Sequence, residues 1–319
     1  MKAVLLAAGK GERLFPITKT IPKPMIQICG KPILEYIISE LTKLGFDELC
    51  IVIGENSYSI SEYFGNGKNF GAKIQYMIQK NPHGTANALL YAAEFVKNDP
   101  FLVYLSDTII LPSLKKYLQN MVDDKSEISI LSSKILESDF MQVGNIEVDS
   151  DMVTNFNEKS SLSKSNLGWA GLAFFKNNFI FQLIKELKPS FRGEYEIPDA
   201  INKSIKIKKF VRNHLCEKFI DSGTKAGLLQ FTQHILKEHK PKSKTQVNSV
   251  HITETVYLGK DCLVGKDVKL GPFVSIGDSV EIQENTSINN SLIFDKQKIK
   301  ANQIISNSIL FNNEILKNE

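Results

Sequence analysis

The last seventy residues carry a six-residue repeat, which limits the folds that this segment can adopt. Seven aliphatic residues fall in strict register every six positions from Ile252 to Ile288, and glycine follows four of them. A second ladder, offset by four residues, runs from Val256 to Thr286. Hexapeptide periods are typical of parallel β-helices, in which each short strand points one aliphatic side chain into a shared core. The pattern predicts a β-helix of about four turns over 250–319; an irregular β-sandwich is the alternative.

Upstream of this repeat the sequence alternates strand-like and helix-like segments. Continuous apolar runs at Ala3–Ala7 and Phe101–Leu105 are typical of buried strands, and helical spacing of apolar residues occurs between them. This alternation predicts an α/β fold with a doubly wound, mostly parallel, Rossmann-like sheet. Ligands bind such sheets beyond the carboxyl ends of the strands. Residues 8–13 and 106–107 are therefore candidates for a site.

Breaker-rich sequence separates the two parts of the chain. Apolar residues at helical spacing predict a last helix over Lys225–His239, and a polar segment with Pro241 follows it. We therefore predict an α/β domain over 1–240, a linker over 241–249 and a β-helix domain over 250–319.

Composition excludes several classes of protein. The 39 Lys and Arg residues against 35 Asp and Glu give a net charge of +4, which is too small to indicate a nucleic-acid partner. Four scattered cysteines without a C-x-x-C pair are typical of reduced thiols. No apolar run approaches the ~18 residues of a membrane span. These features predict a cytoplasmic protein with neither a membrane nor a nucleic acid as its partner.

The turn after the first strand is the strongest local indication of phosphate binding. Small residues there, from Ala8 to Gly11, let backbone N–H groups approach a phosphate closely. Arg13 follows the turn, and Lys23 lies between two prolines, so these cations could clamp a triphosphate. Leu14 occupies the third glycine position of the dinucleotide fingerprint, which excludes that motif. An ordinary strand-to-helix turn with surface charges is the alternative for this segment taken alone.

Several motifs occur in the order found in one enzyme family. They are, in chain order, Leu6–Leu14, Pro22-Lys23-Pro24, Gln79–Ala86, Tyr104–Asp107, Val143–Val148, Asn157–Lys159, Ser165–Gly171 and Phe219–Thr224. Together they span residues 1–240 and resemble the signature of the sugar-1-phosphate nucleotidyltransferases. With the hexapeptide tail, the chain is most similar to long-form glucose-1-phosphate thymidylyltransferases and to uridylyltransferases of similar architecture, whose tail is a left-handed β-helix.

The resemblance implies a reaction and a set of site residues. Enzymes of this family join a nucleoside triphosphate to a sugar 1-phosphate and release pyrophosphate. The catalytic residues it implies are Arg13, Lys23, Asp107 and Lys159, and the ligands of Mg²⁺ are Asp107 and Asp221. Those implied for nucleotide binding are Leu6, Ala8, Gly9, Gly11, Arg13, Lys23, Gln79, Gly84 and Thr85. Those implied for the sugar phosphate are Gly144, Glu158, Lys159, Asn166 and Gly171.

The base and the sugar stay open at this point. Ala8, Glu12, Thr85, Ser106 and Ser160 depart from the family's commoner residues, and no single side chain distinguishes thymine from uracil. The default is dTTP with glucose 1-phosphate giving dTDP-glucose. Alternatives are a UTP-dependent enzyme using glucose 1-phosphate or N-acetylglucosamine 1-phosphate, a non-catalytic regulatory subunit, and a bifunctional enzyme whose tail transfers acyl groups. We expect the tail to support a homo-oligomer, although a monomer with a capping domain is possible.

Overall fold

The computed structural model describes residues 1–159, 165–238, 240, 243, 251–252 and 255–317. The chain forms two compact units. The first unit comprises Met1–Lys10 and Ile37–Phe219, and the second comprises Gly11–Tyr36 and Ile220–Glu319. The described part of the chain has no helix long and apolar enough to cross a membrane. Apart from Ser243, the linker predicted over 241–249 lies outside the described residues, as does His239 at the end of the predicted last helix.

Up to residue 238 the chain alternates strands with helices. The strands are β1 (Lys2–Ala7), β2 (Gln27–Ile28), β3 (Lys31–Pro32), β4 (Glu48–Gly54), β5 (Lys73–Gln79), β6 (Phe101–Leu105), β7 (Thr108–Leu111), β8 (Ile128–Lys134), β9 (Gly144–Asp149), β10 (Met152–Glu158), β11 (Leu167–Phe175), β12 (Val211–Leu215) and β13 (Lys218–Asp221). The α-helices are α1 (Ile33–Lys43), α2 (Tyr58–Phe64), α3 (Thr85–Leu90), α4 (Ala93–Val96), α5 (Lys115–Asp123), α6 (Phe179–Lys185), α7 (Ile197–Lys206) and α8 (Lys225–Glu238).

A nine-stranded sheet forms the core of the first unit, in the order β5-β4-β1-β6-β11-β8-β12-β10-β9. Strand β1 is parallel to β4 and β6, and β4 is parallel to β5. Five consecutive residues of β1, Ala3–Ala7, are buried, as expected for a central strand with both faces covered. The Rossmann-like half of the prediction is therefore confirmed. The carboxyl ends of β1, β4, β5 and β6 lie at one edge of the sheet.

The other half of the sheet is mixed rather than mostly parallel. Strand β11 runs antiparallel to β6 and β8, and β10 runs antiparallel to β9 and β12. Between β9 and β10 only Ser150 and Asp151 form the turn, and a connection this short permits only an antiparallel pair. The apolar, helix-like sequence over Thr85–Val96 forms two helices rather than one, because α3 ends at Leu90 and α4 begins at Ala93.

The repeat region of the second unit consists of very short strands. They are β14 (His251–Ile252), β15 (Val256–Leu258), β16 (Leu263–Val264), β17 (Lys269–Leu270), β18 (Val274–Ile276), β19 (Glu281–Ile282), β20 (Ser287–Asn289), β21 (Ser291–Ile293), β22 (Lys298–Ile299), β23 (Ile304–Ser306), β24 (Ser308–Phe311) and β25 (Glu314–Lys317). They stack as three parallel sheets, β14-β17-β20-β23, β15-β18-β21-β24 and β16-β19-β22, and β25 adds to β24 in the antiparallel sense.

The six-residue spacing of aliphatic residues is interrupted after Ile288, and the pairing of the short strands explains why. Leu258 pairs with Ile276, so this turn of the stack is 18 residues long. Ile276 pairs with Ile293 and Ile282 with Ile299, which makes the next turn 17 residues long. One residue is missing from the repeat between Ile288 and Ile293, yet the aliphatic side chains of successive turns still meet in one core.

One sheet of the stack is buried on both faces. Tyr257, Ser275, Leu292 and Ile309 alternate with core residues along their strands, so they point away from the core of the stack. All four are nevertheless at most 2% exposed. We call these four residues the outer face of the β15 sheet. Helix α8 packs against the strands that carry this face, β18, β21 and β24.

Candidate active site

Strands β1 and β6 bring two predicted segments to the carboxyl edge of the sheet. Leu6 lies in β1, whose end leads to Ala8 and the exposed Gly9, and Asp107 follows β6 at an intermediate exposure. The Ser106 hydroxyl donates a hydrogen bond of 2.7 Å to the Leu6 carbonyl oxygen. Ser106, one of the residues that depart from the family's commoner ones, therefore joins the ends of these two strands.

Gln79 ends β5 and is buried beside the turn that begins α3. Its Nε2 donates to Asn87 Oδ1 at 2.7 Å and approaches the Gly84 carbonyl oxygen at 3.4 Å. Thr85 Oγ1 accepts a hydrogen bond from the Ile197 amide at 3.1 Å. Because both donors of the Gln79 amide face protein acceptors, its Oε1 is the atom that it can offer to a ligand.

Gly84 is fixed by packing as well as by backbone conformation. Its φ is 100°, and a Cβ there would lie 2.5 Å from the carbonyl oxygen of Tyr195. The Ala86 amide also donates to this oxygen, at 2.9 Å. No larger residue fits this position without moving the backbone before α7.

The predicted sugar-phosphate residues Gly144, Glu158 and Lys159 come together across the β9–β10 hairpin. Gly144 pairs with Glu158, and a Cβ on Gly144 would lie 2.6 Å from the Phe156 ring and 3.1 Å from Glu158 Oε2. Lys159 Nζ lies 3.6 Å from Glu158 Oε1. The Lys159 backbone is left-handed, with φ of 47°, a strained conformation for a non-glycine residue that is often found at functional sites.

Arg192 and Glu196 belong to the same cluster, although the sequence analysis did not select them. Arg192 Nη1 lies 3.5 Å from Glu158 Oε1 and 3.0 Å from Glu196 Oε1. Burial raises the pKa of Glu158 against the opposing effect of Lys159 and Arg192. Burial, and next the Glu158 carboxylate, raise the pKa of Glu196 to about 7. The sequence signal was the dense charge of the segment from Arg192 to Glu196, just before α7.

Asn166 and Gly171 lie at the start of β11 and within it. Asn166 is exposed, and its backbone carbonyl oxygen accepts a hydrogen bond from the Ile135 amide at 2.9 Å. Gly171 lies in an irregularity of β11 with φ of 70°, and a Cβ there would lie 3.1 Å from Thr108 Oγ1. Gly171 therefore packs closely against the segment that follows Asp107 and leaves no room there for a side chain.

In the second unit, Gly11 lies beside Lys23. Gly11 has φ of 67°, and its carbonyl oxygen accepts a hydrogen bond from Thr18 Oγ1 at 2.8 Å. A Cβ on Gly11 would lie 3.0 Å from Thr18 Cγ2 and 3.5 Å from Lys23 Cβ. The left-handed backbone and the close threonine methyl favour glycine here, and the base of the Lys23 side chain lies next to it.

The motif at the end of β13 places Asp221 against Arg13. Arg13 Nη2 donates to Asp221 Oδ2 at 3.1 Å, and the Gly223 amide donates to Asp221 Oδ1 at 2.7 Å. A Cβ on Gly223 would lie 2.6 Å from Arg13 Nη2. Thr224 Oγ1 accepts a hydrogen bond from the Gly227 amide at 3.0 Å and so caps the start of α8.

The donor chemistry of Asp107 and Asp221 fits a hard divalent cation. Magnesium prefers carboxylate, phosphate and water oxygens and is usually held by only one or two protein carboxylates. Among the residues with described positions, no group of three or more His, Cys, Asp or Glu side chains could hold a metal ion.

The family model described as Nucleotidyl transferase matches residues 2–238. The chain belongs to the nucleotidyl transferase family. A second model, described as GMPPB C-terminal domain, matches residues 252–318. The resemblance to sugar-1-phosphate nucleotidyltransferases that the motifs predict is confirmed.

Individual relatives support the same family and differ in the nucleotide that their names specify. Low-salt glycan biosynthesis nucleotidyltransferase Agl11 of Haloferax volcanii is 31% identical over 250 residues, covering 78% of this chain and 70% of the relative. Glucose-1-phosphate thymidylyltransferase of Streptomyces antibioticus is 30% identical over 263 residues, covering 82% and 72%. A solved UDP-glucose pyrophosphorylase complexed with UDP-glucose has a TM-score of 0.65 and 27% identity, covering 72% of this chain and 96% of that one.

Proposed function

We propose that this nucleotidyl transferase joins dTTP to glucose 1-phosphate and releases pyrophosphate, giving dTDP-glucose. The observation that carries the proposal is the cluster of Glu158, Lys159 and Arg192 beside Gly144. Two cations next to a partly buried carboxylate suit a ligand that combines a phosphate with hydroxyl groups. Lys159 and Arg192 would bind the sugar phosphate, and Glu158 would accept hydrogen bonds from the sugar hydroxyls.

The reaction requires positioning and charge neutralisation rather than a protein nucleophile. A phosphate oxygen of the sugar 1-phosphate attacks the α-phosphorus in line, and the bond from that phosphorus to the β-phosphate oxygen breaks. Pyrophosphate leaves with the electron pair of the broken bond. Arg13 and Lys23 would hold the departing β- and γ-phosphates, while Lys159 and Arg192 keep the attacking oxygen aligned.

Asp107 and Asp221 would hold Mg²⁺ in this proposal. The ion, when bound, would neutralise phosphate charge and polarise the α-phosphoryl group. Asp221 is paired with Arg13 in the structure, and the Gly223 amide orients its other oxygen. Arg13 would therefore exchange this carboxylate for the triphosphate when substrate binds.

The acceptor that Gln79 can offer a ligand, Oε1, favours a nucleobase with an N–H donor on its Watson–Crick edge. Thymine and uracil both present this donor at N3, whereas cytosine presents an acceptor there. The methyl group that separates thymine from uracil is worth only ~1–3 kcal/mol in a hydrophobic contact. The names of the Streptomyces relative and of the UDP-glucose complex support thymidylyl and uridylyl transfer respectively. Uridylyl transfer to glucose 1-phosphate or N-acetylglucosamine 1-phosphate is the second candidate.

For the C-terminal stack we propose a left-handed β-helix that supports a homo-oligomer, in a cytoplasmic enzyme. Stacked short strands leave open ends, and neighbouring chains commonly cover such ends. Leu263 and Ile304, on two different sheets of the stack, are exposed and apolar. Static light scattering of the full-length protein tests this part of the proposal, and a mass of one chain at all concentrations would contradict it.

A substrate panel tests the proposed reaction. The purified protein is assayed for pyrophosphate release with each of dTTP, UTP, CTP, ATP and GTP against glucose 1-phosphate, N-acetylglucosamine 1-phosphate and mannose 1-phosphate. We expect release with dTTP or UTP and glucose 1-phosphate, and none without Mg²⁺. A protein that binds these nucleotides without releasing pyrophosphate with any sugar would instead be a regulatory subunit.

A further inference from the structure

The triphosphate segment continues directly into a small hairpin. Lys23 begins a single 3-10 turn, and the Ile26 amide donates a hydrogen bond to the Lys23 carbonyl oxygen at 3.1 Å. Strands β2 and β3 follow, and the Ile33 amide donates to the Ile26 carbonyl oxygen at 3.0 Å. Backbone hydrogen bonds therefore link Lys23 to the hairpin, and movement of the hairpin would change the position of Lys23.

The tip of this hairpin is bound to the C-terminal stack. Cys29 and Gly30 form the tip, with φ of 52° and 74°. The Cys29 amide donates a hydrogen bond of 3.0 Å to Ser275 Oγ, and both residues are buried. Ser275 belongs to the outer face of the β15 sheet, where it lies in register between Tyr257 and Leu292. Because a buried amide needs an acceptor, this serine determines where the tip can lie.

A second contact holds the hairpin from another side. Tyr36 Oη donates a hydrogen bond of 2.7 Å to the Ile28 carbonyl oxygen. The Tyr36 ring packs edge-on against Phe231 of α8, with 5.6 Å between the ring centroids. Helix α8 is itself bound to the stack, because Gln233 Nε2 donates to Asn290 Oδ1 at 2.6 Å. The hairpin is thus held both by the stack and by the helix that the stack binds.

We propose that Ser275 is a positioning residue for triphosphate binding, acting through the hairpin on Lys23. The C-terminal stack would thereby contribute to the affinity for the nucleoside triphosphate without touching it. This inference rests on the proposed function only for the role of Lys23, since the contacts between Ser275 and the hairpin are independent of the reaction.

The test compares Ser275→Ala with a matched serine of the same sheet. Ser308 is equally buried, but its hydroxyl donates to Ser306 within the stack, so Ser308→Ala controls for general destabilisation. For Ser275→Ala we expect the KM for dTTP or UTP to rise about tenfold and the KM for glucose 1-phosphate to change less than twofold, because the unsatisfied Cys29 amide loosens the tip. Ser308→Ala should leave the ratio of the two KM values unchanged.

Hydrogen exchange gives a readout that does not require turnover. In the full-length protein without substrate, amides of residues 26–33 should exchange about tenfold faster in Ser275→Ala than in the parent or in Ser308→Ala. Unchanged exchange there, or equal changes in both KM values, would overturn the proposal. If the parent protein lacks transferase activity, the proposed function fails, while the exchange measurement still decides whether Ser275 fixes the position of the hairpin.

A second variant keeps the test valid if Ser275→Ala does not fold. Tyr36→Phe removes the hydroxyl that holds Ile28 and leaves the aromatic ring against Phe231. It should shift the triphosphate KM in the same direction and accelerate exchange over 26–33, with no change in the stack. A normal triphosphate KM together with faster exchange would show that the position of the hairpin does not affect Lys23, and the proposal would be wrong.

Discussion

Replacing Glu196 by glutamine should raise the free energy of unfolding at neutral and alkaline pH, but not near pH 4.5. The Glu196 carboxyl is buried, and its pKa is raised to about 7 from the ordinary 4.5 by burial first and by Glu158 next. The folded state therefore keeps a proton that the unfolded state releases as pH rises above 4.5. The contribution of Glu196 to the wild-type free energy of unfolding should therefore fall between about pH 4.5 and pH 7 and stay level above that range.

The size of the effect follows from the same pKa. A rise from 4.5 to about 7, at about 1.4 kcal/mol per pKa unit, corresponds to about 3 kcal/mol at alkaline pH. Glutamine has the shape of the protonated acid, so Glu196→Gln should avoid this loss. Near pH 4.5 the two proteins should differ by less than ~0.5 kcal/mol, and near pH 8.5 the variant should be more stable by about 2–3 kcal/mol.

Urea denaturation followed by circular dichroism at several pH values measures this difference. Glu194→Gln is the matched control, because Glu194 is more exposed and lies 3.9 Å from the same guanidinium. Its stability should follow that of the wild type across the pH range. If the free energies of unfolding of Glu196→Gln and wild type changed with pH in parallel, the pKa of the Glu196 carboxyl would not be raised in the folded state.

Four further outcomes are expected. Asp107→Asn and Asp221→Asn should each lower kcat by ~10²-fold or more at saturating Mg²⁺, because each removes a charged oxygen ligand; normal turnover would remove them from the metal site. Lys23→Ala should mainly raise the KM of the triphosphate and Lys159→Ala that of the sugar 1-phosphate, and steady-state kinetics with each substrate varied separates the two. Gly84→Ala should cost more than ~2 kcal/mol by urea denaturation, since its Cβ would lie 2.5 Å from the Tyr195 carbonyl oxygen. A chain ending at Lys240 should be less stable, form a smaller oligomer and bind the triphosphate more weakly, because α8 and the Cys29 hairpin lose the outer face of the β15 sheet; light scattering and calorimetry measure these effects, and an unchanged oligomer would contradict the assembly role.

Inward-facing positions of the stack could be predicted from the sequence, but outward-facing ones could not. Ile276 and Ile282 belong to a strict period, so their burial follows from the repeat alone. Tyr257, Leu292 and Ile309 occupy the opposite face, and their burial depends on α8 and on contacts remote in sequence. The burial of these residues by other elements is a tertiary feature, and the six-residue repeat does not predict it.

The site shows the same division between local and tertiary information. Gly11, Gly84 and Gly223 belong to continuous motifs, and each has a backbone or packing reason to be glycine. Arg192 and Glu196 acquire a role only when α7 and the β9–β10 hairpin meet, which no spacing along the chain indicates. The antiparallel strands of the sheet could not be predicted for the same reason. Their direction depends on the strands with which they pair, and the apolar pattern of the sequence does not contain this information.

The central claim is that the chain transfers a nucleotidyl group to a sugar 1-phosphate. The most direct test is ³¹P nuclear magnetic resonance of the full-length protein with dTTP, or with UTP in a parallel sample, glucose 1-phosphate and Mg²⁺. Two coupled resonances of a nucleoside diphosphate sugar should appear together with pyrophosphate, in equal amounts, as the triphosphate resonances disappear. A spectrum in which both substrates persist, or in which orthophosphate forms without a sugar diphosphate, would contradict the account.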